Sequence, residues 1–228
     1  MDMKTELRTL TEVITTKDGY YREETAERVV RILEETAETI CHGGRYDNAR
    51  LSDFNQSIQD MIMTHPSMYV WGGVGTGKTH LAVARAFEAL RTTGISYWDT
   101  KAGCGNIRRW DPLTSDTLVF GSVPELMFEI RKSFNDRSAP SEGQILDKYR
   151  SAYFLVLDDL GANRVTPYCL EALYLIIDYR YRNNMPTLIT SNLDPEALAK
   201  EYDDRMASRI LSLGGVLGFR GSDKRRTK

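Results

Sequence analysis

The stretch Met68-Tyr69-Val70-Trp71-Gly72-Gly73-Val74-Gly75-Thr76-Gly77-Lys78-Thr79-His80-Leu81 decides the fold. Its first four residues are a short apolar run of the kind that forms a buried strand. The next eight satisfy the pattern G-x-x-x-x-G-K-[ST]. From His80 to Leu90 the spacing of Leu81, Ala84 and Leu90 predicts a helix. Strand, glycine-rich turn and helix in that order make a phosphate-binding loop. Glycine lets main-chain N–H groups turn inward around phosphates, along a path that side chains would obstruct. Lys78 carries a compact positive charge to the β- and γ-phosphates. The Thr79 hydroxyl suits Mg²⁺, and the helix that follows presents its positive end. Gly72, Gly73, Val74, Gly75, Thr76, Gly77, Lys78 and Thr79 are therefore the expected cradle for ATP with Mg²⁺.

Downstream, the apolar run Phe154-Leu155-Val156-Leu157 reads as a buried parallel strand and ends on Asp158-Asp159. Ligands of open α/β sheets sit at such strand ends. Asp158 fits a magnesium-holding role, and Asp159 would orient or activate the attacking water. A further strand, Thr187 to Thr190, follows Pro186 and ends at Ser191-Asn192. The Asn192 amide can hydrogen-bond both the γ-phosphate and that water. Asp203 to Leu211 reads as a short amphipathic helix with Arg205 and Arg209 one turn apart. Arginine stays charged and presents a planar fork, which suits stabilisation of phosphoryl transfer.

The remaining elements complete an alternating pattern: a strand at 117–120 and helices at 123–134 and 166–182. Strands alternating with helices predict a doubly wound parallel sheet. Residues 97–116, with Pro112 and Arg108-Arg109-Trp110, read as a surface excursion between the first helix and the second strand. Helical spacing from Ala26 to Ile40, ended by Gly43-Gly44, makes residues 1–44 a short helical appendage ahead of a domain spanning 45–228.

Composition narrows the function classes. At 228 residues, 41% hydrophobic and 27% charged, the chain is sized for one globular α/β domain with an appendage. A net charge of −2 means that nucleic acid would have to be met by a local patch. Arg108-Arg109-Trp110 supplies such chemistry, as do Arg131-Lys132 with Phe134; otherwise Phe134 is expected in the core and the arginines in solvent. The basic tail Lys224-Arg225-Arg226 with Lys228 reads as a solvated terminus. Cys41, Cys104 and Cys169 have neither disulfide nor zinc spacing. No apolar run reaches the length of a membrane span. A reducing, cytoplasmic location is expected.

Taken in order, these motifs resemble the DnaC/DnaI-like helicase loaders of the AAA+ superfamily and the related IstB transposition helpers. The segments that carry the resemblance are Arg45-Tyr46 to Asp53-Phe54, Gly75 to Leu81, Leu157 to Gly161, Leu173 to Tyr181, Pro186 to Leu193 and Arg205 to Leu211. It implies an AAA+ P-loop sheet with flanking helices and a truncated or absent C-terminal lid. His80 joins the nucleotide-binding set through it. It also implies homo-oligomers that share ATP sites, with an arginine finger supplied in trans by Arg209 or, failing that, Arg205. Slow ATPase activity would control contact with single-stranded DNA and with the replicative DNA helicase. The alternatives are an IstB-like helper of a transposase, against which the low net charge weighs, and an ATP-gated adaptor that scarcely hydrolyses. The pair Asp158-Asp159 departs from the acid pairs with glutamate second that are common among AAA+ proteins. The appendage matches no loader domain, and the 97–116 excursion is an addition to the usual pattern.

Overall fold

The computed structural model describes Glu35, Glu38, Ile40 and residues 44–101, 118–136, 138–162 and 164–219; of residues 91–101 it describes the backbone. Five strands form one sheet: β1 (Met68–Gly72), β2 (Leu118–Ser122), β3 (Phe154–Leu160), β4 (Thr187–Ser191) and β5 (Gly215–Phe219). Their order is β2-β3-β4-β1-β5 and every pairing is parallel. The helices are α1 (Gln56–Thr64), α2 (Lys78–Lys101), α3 (Val123–Asn135), α4 (Glu142–Ser151), α5 (Pro167–Arg182), α6 (Pro195–Tyr202) and α7 (Asp204–Ser212).

Successive strand residues point to opposite faces, so each strand feeds two cores. Met68 and Val70 of β1, Leu118 and Phe120 of β2, Phe154 and Val156 of β3 and Leu188 of β4 share one buried cluster. In it they meet Leu81, Ala82, Ala86, Phe87 and Leu90 of α2, together with Ile40, Ala49 and Ile62. Tyr69, Val119, Leu155, Leu157 and Ile189 turn the other way, onto α3, α4, α5, α6 and α7. The result is a three-layer sandwich in which α2 and the segment before β1 cover one face of the sheet. Because both faces are covered, β3 opens with an unbroken apolar run, Phe154 to Leu157, whereas β4 buries the hydroxyls of Thr187, Thr190 and Ser191 around Leu188 and Ile189.

Local signals place the helix starts. Ser122 and Glu125 form a reciprocal capping box on α3, and Ser141 with Gln144 does the same for α4. Thr166-Pro167 opens α5 and Asp194-Pro195 opens α6, each with a side-chain cap followed by proline in the first turn. The first helix departs from expectation. It runs from Lys78 to Lys101 instead of ending at Leu90, and so takes in the first residues of the proposed 97–116 excursion. The rest of that excursion, including Arg108, Arg109 and Trp110, lies outside the described residues, as do Cys41, Cys104 and the basic tail. Among the described residues no helix is long and apolar enough to cross a membrane.

Candidate functional site

Read across the sheet, the C-terminal ends of β3, β4 and β1 are neighbours, so the acid pair, Asn192 and the glycine loop meet at one edge. The loop's backbone explains its composition. Gly75 and Gly77 sit at φ +75° and +105°, conformations that a side chain would strain. At Gly72 the constraint is contact: a Cβ would stand 2.5 Å from the carbonyl oxygen of Phe219 on the adjoining strand β5. Thr76 braces the turn by donating from Oγ1 to the Gly73 carbonyl at 2.9 Å. Lys78 is buried, and its Nζ donates to the carbonyls of Gly72 and Gly73 at 2.9 Å and to Asn192 Oδ1 at 2.8 Å. The ammonium is thus parked against its own loop and against the residue expected to sense phosphate.

The acids are set by a defect in the ladder. Leu157 pairs with Ile189 and Leu160 with Ser191, so Asp158 and Asp159 together stand opposite the single residue Thr190. Such a bulge re-aims side chains at a strand end. Asp159 adopts φ +55°, uncommon outside glycine, and its side chain lines the cleft. Asp158 is buried and accepts from Thr79 Oγ1 at 3.0 Å on Oδ2 and from Thr190 Oγ1 at 2.5 Å on Oδ1. The Asn192 segment is pinned as well. Ser191 Oγ donates to the Leu160 carbonyl at 2.6 Å and accepts from the Leu193 N–H at 3.0 Å. The Tyr69 hydroxyl, kept protonated because burial pushes it up to about 12, donates to the Leu193 carbonyl at 2.7 Å.

These donors suit magnesium. A hydroxyl and a carboxylate 3.0 Å apart are hard oxygen ligands, and Mg²⁺ binds through one or two such groups while keeping several waters. Among the described residues no three His, Cys, Asp or Glu converge on a closed metal cage. The ion would be held between protein and phosphate.

At its far end the cleft, about 660 Å³, is lined by Arg45, Tyr46, Asp53, Phe54 and His80. His80 Nε2 lies 2.6 Å from Asp53 Oδ2, which also accepts from the Arg50 N–H at 2.9 Å. Burial works against the Asp53 charge, but these two bonds and the nearby positive groups outweigh it and hold the carboxyl below its ordinary range. The rings of Tyr46 and Phe54 flank His80 at 6.2 and 5.7 Å, and Phe54 meets Phe219 edge-on at 6.0 Å. Aromatic rings and hydrogen-bonding groups in the same cleft as a phosphate loop have the character of a base-binding wall. Of these residues only His80 was expected in the nucleotide-binding set; Arg45, Tyr46, Asp53 and Phe54 carried the resemblance without a role. Two aromatics with an acid just before the first strand were the available signal.

Not every expected residue joins the cleft. Val74, Gly75, Gly77, Lys78, Thr79, His80, Asp159 and Asn192 line it, whereas Arg205 and Arg209 do not. Arg209 is half-buried, with Nε 2.7 Å from Asp178 Oδ1 and its guanidinium 4.8 Å from the centre of the Tyr174 ring. Arg205 is exposed on the first turn of α7. Phe134, expected in the core, is instead exposed and meets Tyr168 edge-on at 6.1 Å, with Arg131 and Lys132 exposed beside it. Phe134 keeps the phase of the buried residues Val123, Leu126, Met127 and Ile130 but lies one turn past the last of them, in the final turn of α3.

A five-stranded parallel sheet in this order, with a P-loop after β1, acids at β3 and asparagine after β4, is an AAA+ nucleotide-binding fold. Comparison with known proteins narrows the likeness. No family model matches. Over 155 residues the chain is 29% identical to the phage-like element PBSX protein XkdC of Bacillus subtilis, covering 64% of this chain and 47% of that protein. It is 24% identical over 160 residues to the replicative helicase loader DnaC of Escherichia coli, covering 70% and 56% respectively. The crystal structure of the DnaC helicase loader shares the fold at a TM-score of 0.56 and 24% identity, over 77% of this chain and 99% of that one. The chain spans about half the length of the curated relatives it matches. The likeness to the DnaC/DnaI-like AAA+ group, drawn first from motifs, holds in both sequence and fold.

Proposed function

We propose that this chain binds Mg-ATP in the cleft and uses it to help place a replicative DNA helicase on single-stranded DNA. The observation that carries the reading is the meeting of Lys78, Thr79, Asp158 and Asn192 beneath a cavity with an aromatic, hydrogen-bonding end. Two relatives support the direction: one is named as a replicative helicase loader, the other as a protein of a phage-like element.

Each residue has a part. The amides of Gly75 and Gly77 would face phosphate oxygens, and Lys78 would exchange its loop carbonyls for them. Thr79 and Asp158 would hold Mg²⁺, which neutralises charge on the β- and γ-phosphates. Asp159 would take a hydrogen bond from the attacking water, and Asn192, released from Lys78, would orient that water against the γ-phosphate. His80 and Asp53 would read the edge of the adenine beside the rings of Tyr46 and Phe54. Asp159 is shorter than glutamate and sits in a strained conformation, which favours slow hydrolysis.

Arg45 lines the cleft, whereas Arg205 and Arg209 do not. As the finger, either of these two would act on the site of a neighbouring copy in a homo-oligomer with shared sites. Arg209 is already engaged by Asp178 and Tyr174, which makes Arg205 the freer candidate for the finger. The exposed Phe134 and Tyr168 with Arg131 and Lys132 offer stacking planes and charge to a single strand.

The test is capture of the replicative helicase by the tagged chain, with and without a non-hydrolysable ATP analogue, alongside ATP turnover with and without single-stranded DNA. Nucleotide-dependent capture is expected. Failure to capture under both conditions removes the loader role and leaves nucleotide binding standing. Capture without measurable turnover turns the reading into an ATP-gated adaptor.

A further inference from the structure

The bulge at the end of β3 leaves two needs that one side chain meets. Asp159 turns to φ +55°, and its N–H bonds a side chain, lying 3.0 Å from Thr190 Oγ1. The Asp158 carboxylate is buried and must be held in one rotamer if Oδ2 is to stay near Thr79. Thr190 is fully buried in β4, and its hydroxyl accepts from the Asp159 N–H while donating to Asp158 Oδ1 at 2.5 Å. The same strand buries two other hydroxyls, Thr187 and Ser191, but these donate to the main-chain carbonyls of Met185 and Leu160, whereas Thr190 donates to a carboxylate. A buried hydroxyl with both its donor and its acceptor used is costly to replace.

We propose that Thr190 is a positioning residue of the magnesium–nucleotide site. Its hydroxyl fixes the Asp158 carboxylate so that Oδ2 faces Thr79, and it stabilises the turned backbone that aims Asp159 into the cleft. Oδ1 takes the short bond from Thr190 and a longer 3.3 Å contact from Thr79, which leaves Oδ2, 3.0 Å from Thr79 Oγ1, as the oxygen turned toward the hydroxyl that would hold the ion. The inference rests on the reading of the cleft as a Mg-ATP site and adds the residue that sets the orientation of its acids.

The experiment compares wild type, Thr190→Val and Thr190→Ser for binding of the fluorescent analogue mant-ATP, with and without Mg²⁺, and follows their thermal unfolding. Valine keeps the shape and removes the hydroxyl; serine keeps the hydroxyl. In Thr190→Val the tightening of mant-ATP binding by Mg²⁺ is expected to shrink by on the order of tenfold, the scale of one hydrogen bond to a charged group. Metal-free binding should change little, and Thr190→Ser should retain most of the tightening. A lowered melting temperature with the Mg²⁺ effect intact would show a purely structural hydroxyl and overturn the proposal. If the valine variant does not fold, Thr190→Cys replaces it as a weak donor, and equal Mg²⁺ effects in the cysteine and serine variants overturn the proposal. Wild-type protein that ignores mant-ATP under both conditions refutes the nucleotide site itself, and this inference falls with it.

Discussion

Removing the Asn192 side chain should tighten the binding of ADP, the opposite of what deleting a site residue usually does. Asn192 Oδ1 lies 2.8 Å from the Lys78 ammonium, which also binds two loop carbonyls at 2.9 Å. A phosphate that recruits Lys78 would compete with the Asn192 contact, so losing that contact should favour binding. A hydrogen bond to a charged group is worth roughly 1.5–3 kcal/mol. Asn192 is exposed and water can replace it, so the contact is worth less than that range, about 1 kcal/mol. At about 1.4 kcal/mol per tenfold, Asn192→Ala should bind MgADP about fivefold more tightly. With ATP the gain should be cancelled if, as proposed, the amide also binds the γ-phosphate, so the preference for ATP over ADP should fall. Titration calorimetry of both nucleotides against wild type and Asn192→Ala measures this directly. Unchanged or weaker ADP binding in the variant would show that the Lys78–Asn192 contact carries no weight.

The two arginines of α7 should separate cleanly. Arg209→Ala loses its bonds to Asp178 and Tyr174 and should cost about 1 kcal/mol of stability in denaturant unfolding. Arg205→Ala should leave stability unchanged and reduce turnover in the assembled state; the reverse pattern would make Arg209 the finger. Arg180 is fully buried, and its guanidinium donates to the Thr187 hydroxyl and to the carbonyls of Tyr149, Arg150, Ala152 and Pro186. Lysine cannot reach all of these, so Arg180→Lys should lower stability by about 2–3 kcal/mol in the same assay. Phe134→Ala and Tyr168→Ala should each weaken single-strand binding by about 1–3 kcal/mol in anisotropy titrations, with little change in its salt dependence. Because Asp53 titrates lower folded than unfolded, its contribution is complete above its ordinary value of 3.8 and is lost as pH falls through the lowered value. Acid unfolding of Asp53→Asn should lack that component.

The phosphate end of the site was legible because its chemistry is local: consecutive glycines, a lysine and a threonine must be adjacent in sequence to wrap one group. The four strands of the alternating pattern were legible because burial on both faces writes a continuous apolar run. What escaped notice depends on distant contacts. Strand β5, Gly215-Val216-Leu217-Gly218-Phe219, is too rich in glycine to read as a strand. Yet a Cβ on Gly218 would stand 2.8 Å from the Trp71 ring, so its glycine answers to β1 and not to its own neighbours. Helix α2 outruns its apparent end because Gly94 lowers helix propensity by only about 1 kcal/mol relative to alanine. The bulge that faces both aspartates toward Thr190 leaves no sequence signature. The capping signals of α4 and α6, Ser141 with Gln144 and Asp194-Pro195, were present and went unread.

Phe219 closes the last strand against Gly72 and at the same time supports Phe54, which leans on His80. On the proposed reading, one residue of the outer strand would brace both the turn that takes the triphosphate and the rings that would flank a purine. A change at Phe219 should therefore disturb grip and choice of nucleotide together.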